Sequence, residues 1–274
     1  MNTRMIRVLF SLVGVIALSA MLAGSAVARE PAAGYGKFAG CPSPEEVAGI
    51  EGCVVSTITS GNFKMGNKNV PIKNPITLSG GITNENKFVY NSKGGLTPVK
   101  QLVPGGVIGL TGLDWLVNFL NIEALQLYAV TELAGQPGNP IFDDPFKLPI
   151  KVHLINPALG NNCYVGSTSN PIKLNLTLGT TSPPPPNTPI SGISPEVALD
   201  PTLPGVINST GGRYVDNSFA APGASGCVLT LFGFIPISIN GLVNSQSGLP
   251  SPAGTNETVQ NFNGQLAFYQ VVYP

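Results

Sequence analysis

A chain of 274 residues with 14 basic and 14 acidic side chains, 10% charged in all, carries no surplus of positive charge to attract a polyanion. Nucleic acid and acidic lipid are therefore excluded as default partners. Apolar residues make up 43% of the chain, which excludes a fully solvated, disordered polypeptide, and 33 Gly with 26 Pro imply frequent turns.

Arg4 and Arg7 precede a mostly apolar run over residues 8–22 and the small-x-small text Ala26-Val27-Ala28. This is the layout of a cleavable export signal, too short for a stop-transfer helix, so cleavage is expected after Ala28 and residues 29–274 form the mature chain. Removing those two arginines from the 14 basic residues leaves 12 against 14 acidic ones, a net charge near −2. Phe38-Ala39-Gly40-Cys41 imitates a lipoprotein box, but Arg29, Glu30, Pro31 and Lys37 separate Cys41 from the apolar run. Cys41 is expected in a disulfide instead.

Cys41, Cys53, Cys163 and Cys227 are an even set in a chain read as exported, so paired disulfides are expected. Three pairings are open. The short interval from Cys41 to Cys53, filled by the turn-and-helix text PSPEEVAGIEG, favours a local bridge and leaves Cys163 to Cys227. There is no CxxC, and a lone His153 does not complete a zinc cluster of ordinary spacing.

Residues 54–65 and 70–78, separated by Gly66-Asn67-Lys68-Asn69, predict a hairpin with a four-residue turn. Gly80-Gly81, Pro104-Gly105-Gly106, Gln136 to Pro140 and Asn156-Pro157 mark further turns. Residues 113–120 predict a short helix with Asp114 in its first turn and Trp115 and Phe119 on one face. Period-two alternation sets Leu125, Leu127, Ala129 and Leu133 against Gln126, Tyr128 and Glu132. The same alternation sets Val152 and Leu154 against Lys151 and His153, and the leucines of KLNLTL (173–178) against their polar neighbours. Leu266 and Phe268 alternate likewise with Gln265 and Tyr269. These are strands with one dry and one wet face.

Residues 228–243 are apolar but contain Gly233, Pro236 and Gly241, which rules out a long regular helix and predicts a buried, bent strand. The proline tract at residues 182–189 reads as a stiff spacer by composition. A Cys163–Cys227 bridge would span it and make it a surface loop within a single domain of residues 29–274. The expected fold is all-β, mainly antiparallel, a β-sandwich or partly closed barrel with one or two short helices, stapled by disulfides.

Three stretches, LPIKVHLINPALGNNCYVGSTSNPIKLNLTLGTTSPPPPNTPI (148–190), VDNSFAAPGASGC (215–227) and GLPSPAGTN (248–256), resemble a family of exported β-rich actinobacterial proteins. That resemblance implies secretion and adds no catalytic residue, because the family has no activity attached to it.

Few side chains suggest chemistry. His153 lacks a nucleophile elbow to serve, since Gly223-Ala224-Ser225-Gly226-Cys227 has Cys where G-x-S-x-G needs its last glycine. Asp143 and Asp144 sit between prolines and read as a solvated turn, while Asp114, Glu132, Asp200 and Asp216 are scattered. Gly105-Gly106 and Gly211-Gly212 lack a phosphate-loop frame, and there is no calcium-loop spacing, so no nucleotide, cofactor or metal is expected. Trp115 with Phe119 reads as core packing or as an anchor for lipid or a partner. What remains is a secreted, non-enzymatic protein with a structural or binding role at the cell envelope. The alternatives are a carrier of an apolar ligand, with residues 103–133 lining its cavity, and a membrane β-barrel or pore with a terminal strand over residues 265–273.

Overall fold

The computed structural model describes residues 29–106 and 126–274. The expected export signal, the expected helix at residues 113–120 with Asp114, Trp115 and Phe119, and Leu125 lie outside the described residues. In chain order the first strands are β1 (Ile50–Met65), β2 (Lys68–Pro71), β3 (Ile76–Thr83), β4 (Phe88–Val89), β5 (Gly95–Leu96), β6 (Lys100–Leu102), β7 (Tyr128–Leu133) and β8 (Phe146–Ile155). There follow β9 (Tyr164–Val165), β10 (Ile172–Leu176), β11 (Glu196–Leu199), β12 (Val206–Asp216), β13 (Ala224–Ser225), β14 (Val228–Leu231), β15 (Ile235–Ser238) and β16 (Glu257–Phe268). Two short helices, α1 (Asn240–Ser247) and α2 (Tyr269–Val272), complete the set.

All strand pairs are antiparallel, and they form an eight-stranded sheet in the order β11-β12-β16-β1-β3-β4, with β2 on β1 and β5 on β3. A six-stranded sheet runs β13-β9-β8-β7-β6 with β10 on β8, and β14 pairs with β15 alone. No closed barrel forms among the described residues. Period two explains the inner faces. On β8, Phe146, Leu148, Ile150, Val152 and Leu154 are buried while Lys147, Lys151 and His153 point outward. On β10, Ile172, Leu174 and Leu176 are buried while Lys173 and Asn175 are exposed. These residues pack against Val54, Leu78, Ile82 and Phe262 of the larger sheet in one continuous core.

Polar ties join the two sheets at their margins. Thr177 and Val215 exchange backbone hydrogen bonds, both at 3.0 Å. The buried Gln101 carboxamide accepts from the Lys73 and Asn74 amides at 3.0 and 3.1 Å and donates to the Asn74 carbonyl at 2.6 Å. That side chain replaces the ladder partners lost where the chain breaks between β2 and β3.

A second core lies where Tyr35, Phe38, Ile50, Val206, Ala267 and Val272 pack around the Cys41–Cys53 bridge. Residues near the two ends of the described region meet there. The Ala32 amide donates to the Val272 carbonyl at 2.8 Å, and the Tyr273 hydroxyl donates to the Cys41 carbonyl at 2.8 Å. Cys163 is bonded to Cys227 inside the main core, so both expected disulfides are present.

The bridge from Cys163 to Cys227 does span the proline tract. Asn187, at the end of that tract, donates from its side chain to the carbonyls of Asn217 and Asn256, each at 2.8 Å. Its backbone amide donates to Gly254. The tract is thus laid against the loop at residues 250–256, and the main core draws on residues from both sides of it.

Several expectations fail locally. The β1–β2 hairpin turns on two residues, Gly66-Asn67, not four, because Met65 already pairs with Lys68. The interval between Cys41 and Cys53 holds turns and no helix. Residues 228–243 are not a buried strand: they form the β14–β15 hairpin and the start of α1, with Phe232 and Phe234 at the tip 85% and 74% exposed. A positive φ at Phe232 and Gly233 makes the tight turn that the apolar text concealed. The terminal strand stops at Phe268, which is 53% exposed, while Ala267 is buried, so the wet and dry faces expected there are exchanged at the strand end. The reason is the second core, which covers the opposite face of β16. On β7 Leu127 is buried and Ala129 and Leu133 pack on the core as expected, but Gln126 and Val130 of the other face are buried too.

Candidate functional site: an apolar cavity between the sheets

The strands that face one another leave a cavity of about 80 Å³ in the main core. Its walls are mainly hydrocarbon: Ile58, Phe63 and Val70 from the larger sheet and Ala129, Ile150 and Val152 from the smaller one. A second cavity of about 40 Å³ lies against α1, bounded by Ile239, Leu242 and Val243, and shares Lys68, Leu127 and Ser247 with the first. Empty core volume is destabilising; at roughly 24 cal/mol per Å³, the larger cavity forfeits about 2 kcal/mol. A space this apolar stays dry, because water entering it would find few polar partners.

The pairing of β1 with β16 is irregular between Ile58 and Ser60, and Gly61 stands opposite Gln260 just beyond it. Ala129 and Thr131 are the short side chains of β7 that line the cavity from the other sheet. Of the expected cavity-lining segment, Val103, Leu127, Ala129 and Thr131 do face the cavity, and residues 107–125 lie outside the described residues.

Gln260 was hidden from a period-two reading because Thr258 and Gln260 place polar text on the buried face of β16. Its Nε2 donates to the Thr258 hydroxyl at 3.1 Å, and that hydroxyl donates to the Asn62 carbonyl at 3.0 Å. The Gln260 Oε1 is buried without a hydrogen-bond partner.

The residues considered for chemistry lie elsewhere. His153 is not freely solvated: its ring stacks on Tyr164 at 4.4 Å between centroids, and its Nδ1 is 3.6 Å from Glu132 Oε1. Lys151 joins this outward cluster, 3.3 Å from Glu132 Oε2 and 4.7 Å from the Tyr164 ring centre. Asp143 accepts from the Asn139 amide at 2.7 Å in the turn expected for it, and lines a surface depression with Asn86 and Gln136. Asp200 caps its own turn, and the amide and hydroxyl of Thr202 hold its carboxyl below the usual range. Asp216 is buried, and burial raises its carboxyl although the amides of Asn175 and Ser218 donate to it. Neither His153 nor a pair of carboxyl groups lines any of these cavities. Among the described residues no group of three or more His, Cys, Asp or Glu is placed to hold a metal ion. The disulfide cysteines Cys41, Cys53, Cys163 and Cys227 are all bonded. Among the described residues no helix is long and apolar enough to cross a membrane.

No family model, curated protein or solved structure matches this chain. The resemblance to exported actinobacterial proteins therefore stands on its three sequence stretches alone.

Proposed function

We propose that this chain is an exported, non-enzymatic binding protein that holds a small apolar molecule between its two sheets. The observation that carries the reading is the hydrocarbon-lined cavity, left between two sheets whose shared core also holds the Cys163–Cys227 bridge. Export rests on the signal-like text of residues 1–28 and agrees with the two disulfides. The size of the space selects a slim molecule, a small ring or a chain of a few methylenes.

The test is binding of benzene and n-pentane to the purified protein, read as a rise in Tm with ligand concentration. Ala129→Leu, which fills the cavity from β7, is expected to weaken both by at least about tenfold while the protein remains folded. Absence of any ligand-dependent rise in the unmodified protein overturns the reading.

The exposed β14–β15 hairpin favours a second reading, a structural role at the cell envelope. Phe232 and Phe234 stand at its tip, and no charged residue occurs between Cys227 and Asn256. Fractionation of the producing cells decides it: Phe232→Ser with Phe234→Ser is expected to move the protein from envelope to medium, and an unchanged distribution removes this reading.

A further inference from the structure

We infer that the molecule held in the cavity is neutral and carries one hydrogen-bond donor, a hydroxyl or an amide N–H, directed at Gln260. This rests on the cavity being a ligand site. Gln260 is 4% exposed, lies on the inner face of β16 and lines the cavity opposite Gly61.

The direction of its carboxamide is fixed by its neighbours. The Thr258 hydroxyl has one proton, and that proton is committed to the Asn62 carbonyl, so toward Gln260 the hydroxyl only accepts. Nε2 must face Thr258, and Oε1 is left as an acceptor with nothing to accept from. Turning the amide over would set two oxygens together unless the Thr258 proton left the Asn62 carbonyl.

A buried carbonyl left in this condition is costly, and a donor supplied by a ligand relieves it. The same geometry selects against charge. A carboxylate brings no proton to Oε1, the lining cation Lys68 already has a partner, and an ammonium would lose its hydration against walls of Phe63, Ile150 and Val152. An alcohol or secondary amide satisfies Oε1 with its donor once the Gln260 side chain turns that atom into the cavity, and places its hydrocarbon against those walls.

Three probes of equal heavy-atom count separate the donor from the cavity: n-pentane, 1-butanol and methyl propyl ether, titrated against the intact protein. The expected result is 1-butanol binding about tenfold tighter than the ether, with Gln260→Met abolishing that preference while keeping pentane binding. The side-chain amide resonance of Gln260 in the unmodified protein, expected to shift with 1-butanol and not with the ether, keeps the test open if Gln260→Met does not fold. Equal binding of butanol and ether, or a preference that persists in Gln260→Met, overturns the donor requirement and leaves the cavity standing. Binding of none of the three overturns the cavity itself.

Discussion

Gly61 stands directly opposite Gln260 in the β1–β16 ladder, at φ 136°. A Cβ built there would lie 1.9 Å from the Val259 carbonyl oxygen, so the backbones of the two strands approach more closely than any side chain allows. The position combines the left-handed backbone region with direct backbone contact, and both demands are met by glycine alone.

Gly61→Ala is expected to destabilise the protein by about 3 kcal/mol, the sum of backbone strain and a displaced strand. Gly36→Ala, where a Cβ meets nothing and φ is ordinary, is the control and is expected to change stability by less than about 0.5 kcal/mol. Urea unfolding measures both. Similar midpoints for the two variants would show that β1 can shift away from β16 at this point.

The fold class was legible because alternation survives wherever one face of a strand meets the core and the other meets solvent, as on β8 and β10. Alternation failed where that condition failed. On β16 Leu266 packs on the main core as expected, but Ala267 of the other face is buried in the second core, and Phe268 at the strand end is exposed. The hairpin at Phe232 misled in the opposite sense: an apolar run reads as buried, and nothing local reveals that its tip protrudes. The disulfides were readable from count, compartment and one short interval. The cavity was not, since a void is set by how side chains such as Phe63 on one sheet and Ala129 on the other come to face each other, and their sequence separation hides that.

The two disulfides close loops of very different size, with separations of 12 residues for Cys41–Cys53 and 64 for Cys163–Cys227. Loop-closure entropy predicts losses of about 3 and about 4 kcal/mol on replacing each pair by alanine. Denaturant midpoints of the two double variants are the measurement. The longer loop, which also encloses the proline tract, should show the larger loss; the reverse order would mean that packing in the second core around Cys41 outweighs the entropy.

Stability should fall on the alkaline side because of Tyr214. Burial, with the Asp144 carboxylate adding to it, pushes its phenol up to about 12, and its hydroxyl donates to the Pro140 carbonyl at 2.9 Å. The unfolded chain releases this proton near pH 10 and the folded one holds it, so the contribution is complete below pH 10 and is lost as pH rises through about 12. The loss amounts to about 3 kcal/mol. Tyr214→Phe is expected to cost about 1 kcal/mol at pH 7 through the missing hydrogen bond and to flatten the alkaline limb. An alkaline slope unchanged in Tyr214→Phe assigns the effect to Tyr269 and Tyr273, whose phenols burial also raises.

Asn256 joins the β1–β2 turn to two loops, at residues 215–227 and 248–256, whose texts carry the resemblance to exported proteins. Its Oδ1 accepts from the Gly66 amide at 3.0 Å and the Ser251 hydroxyl at 2.7 Å, while Nδ2 donates to the carbonyls of Phe219 at 2.9 Å and Pro252 at 3.1 Å. The side chain is fully buried, so no water replaces these partners when it is removed. Asn256→Ala is therefore expected to cost about 3 kcal/mol, more than an ordinary buried hydrogen bond because several polar groups lose their partners together. Asn256→Asp keeps the acceptor but turns a carboxylate oxygen toward two carbonyls, and should be at least as destabilising at pH 7 and partly recovered at acid pH, where a protonated carboxyl again donates. Asn263→Ala, on the exposed face of the same strand, supplies the comparison at about 0.5 kcal/mol. If Asn256→Asp matches the unmodified protein at pH 7, the two donated hydrogen bonds are dispensable and the loops are held by the proline tract and Asn187 instead.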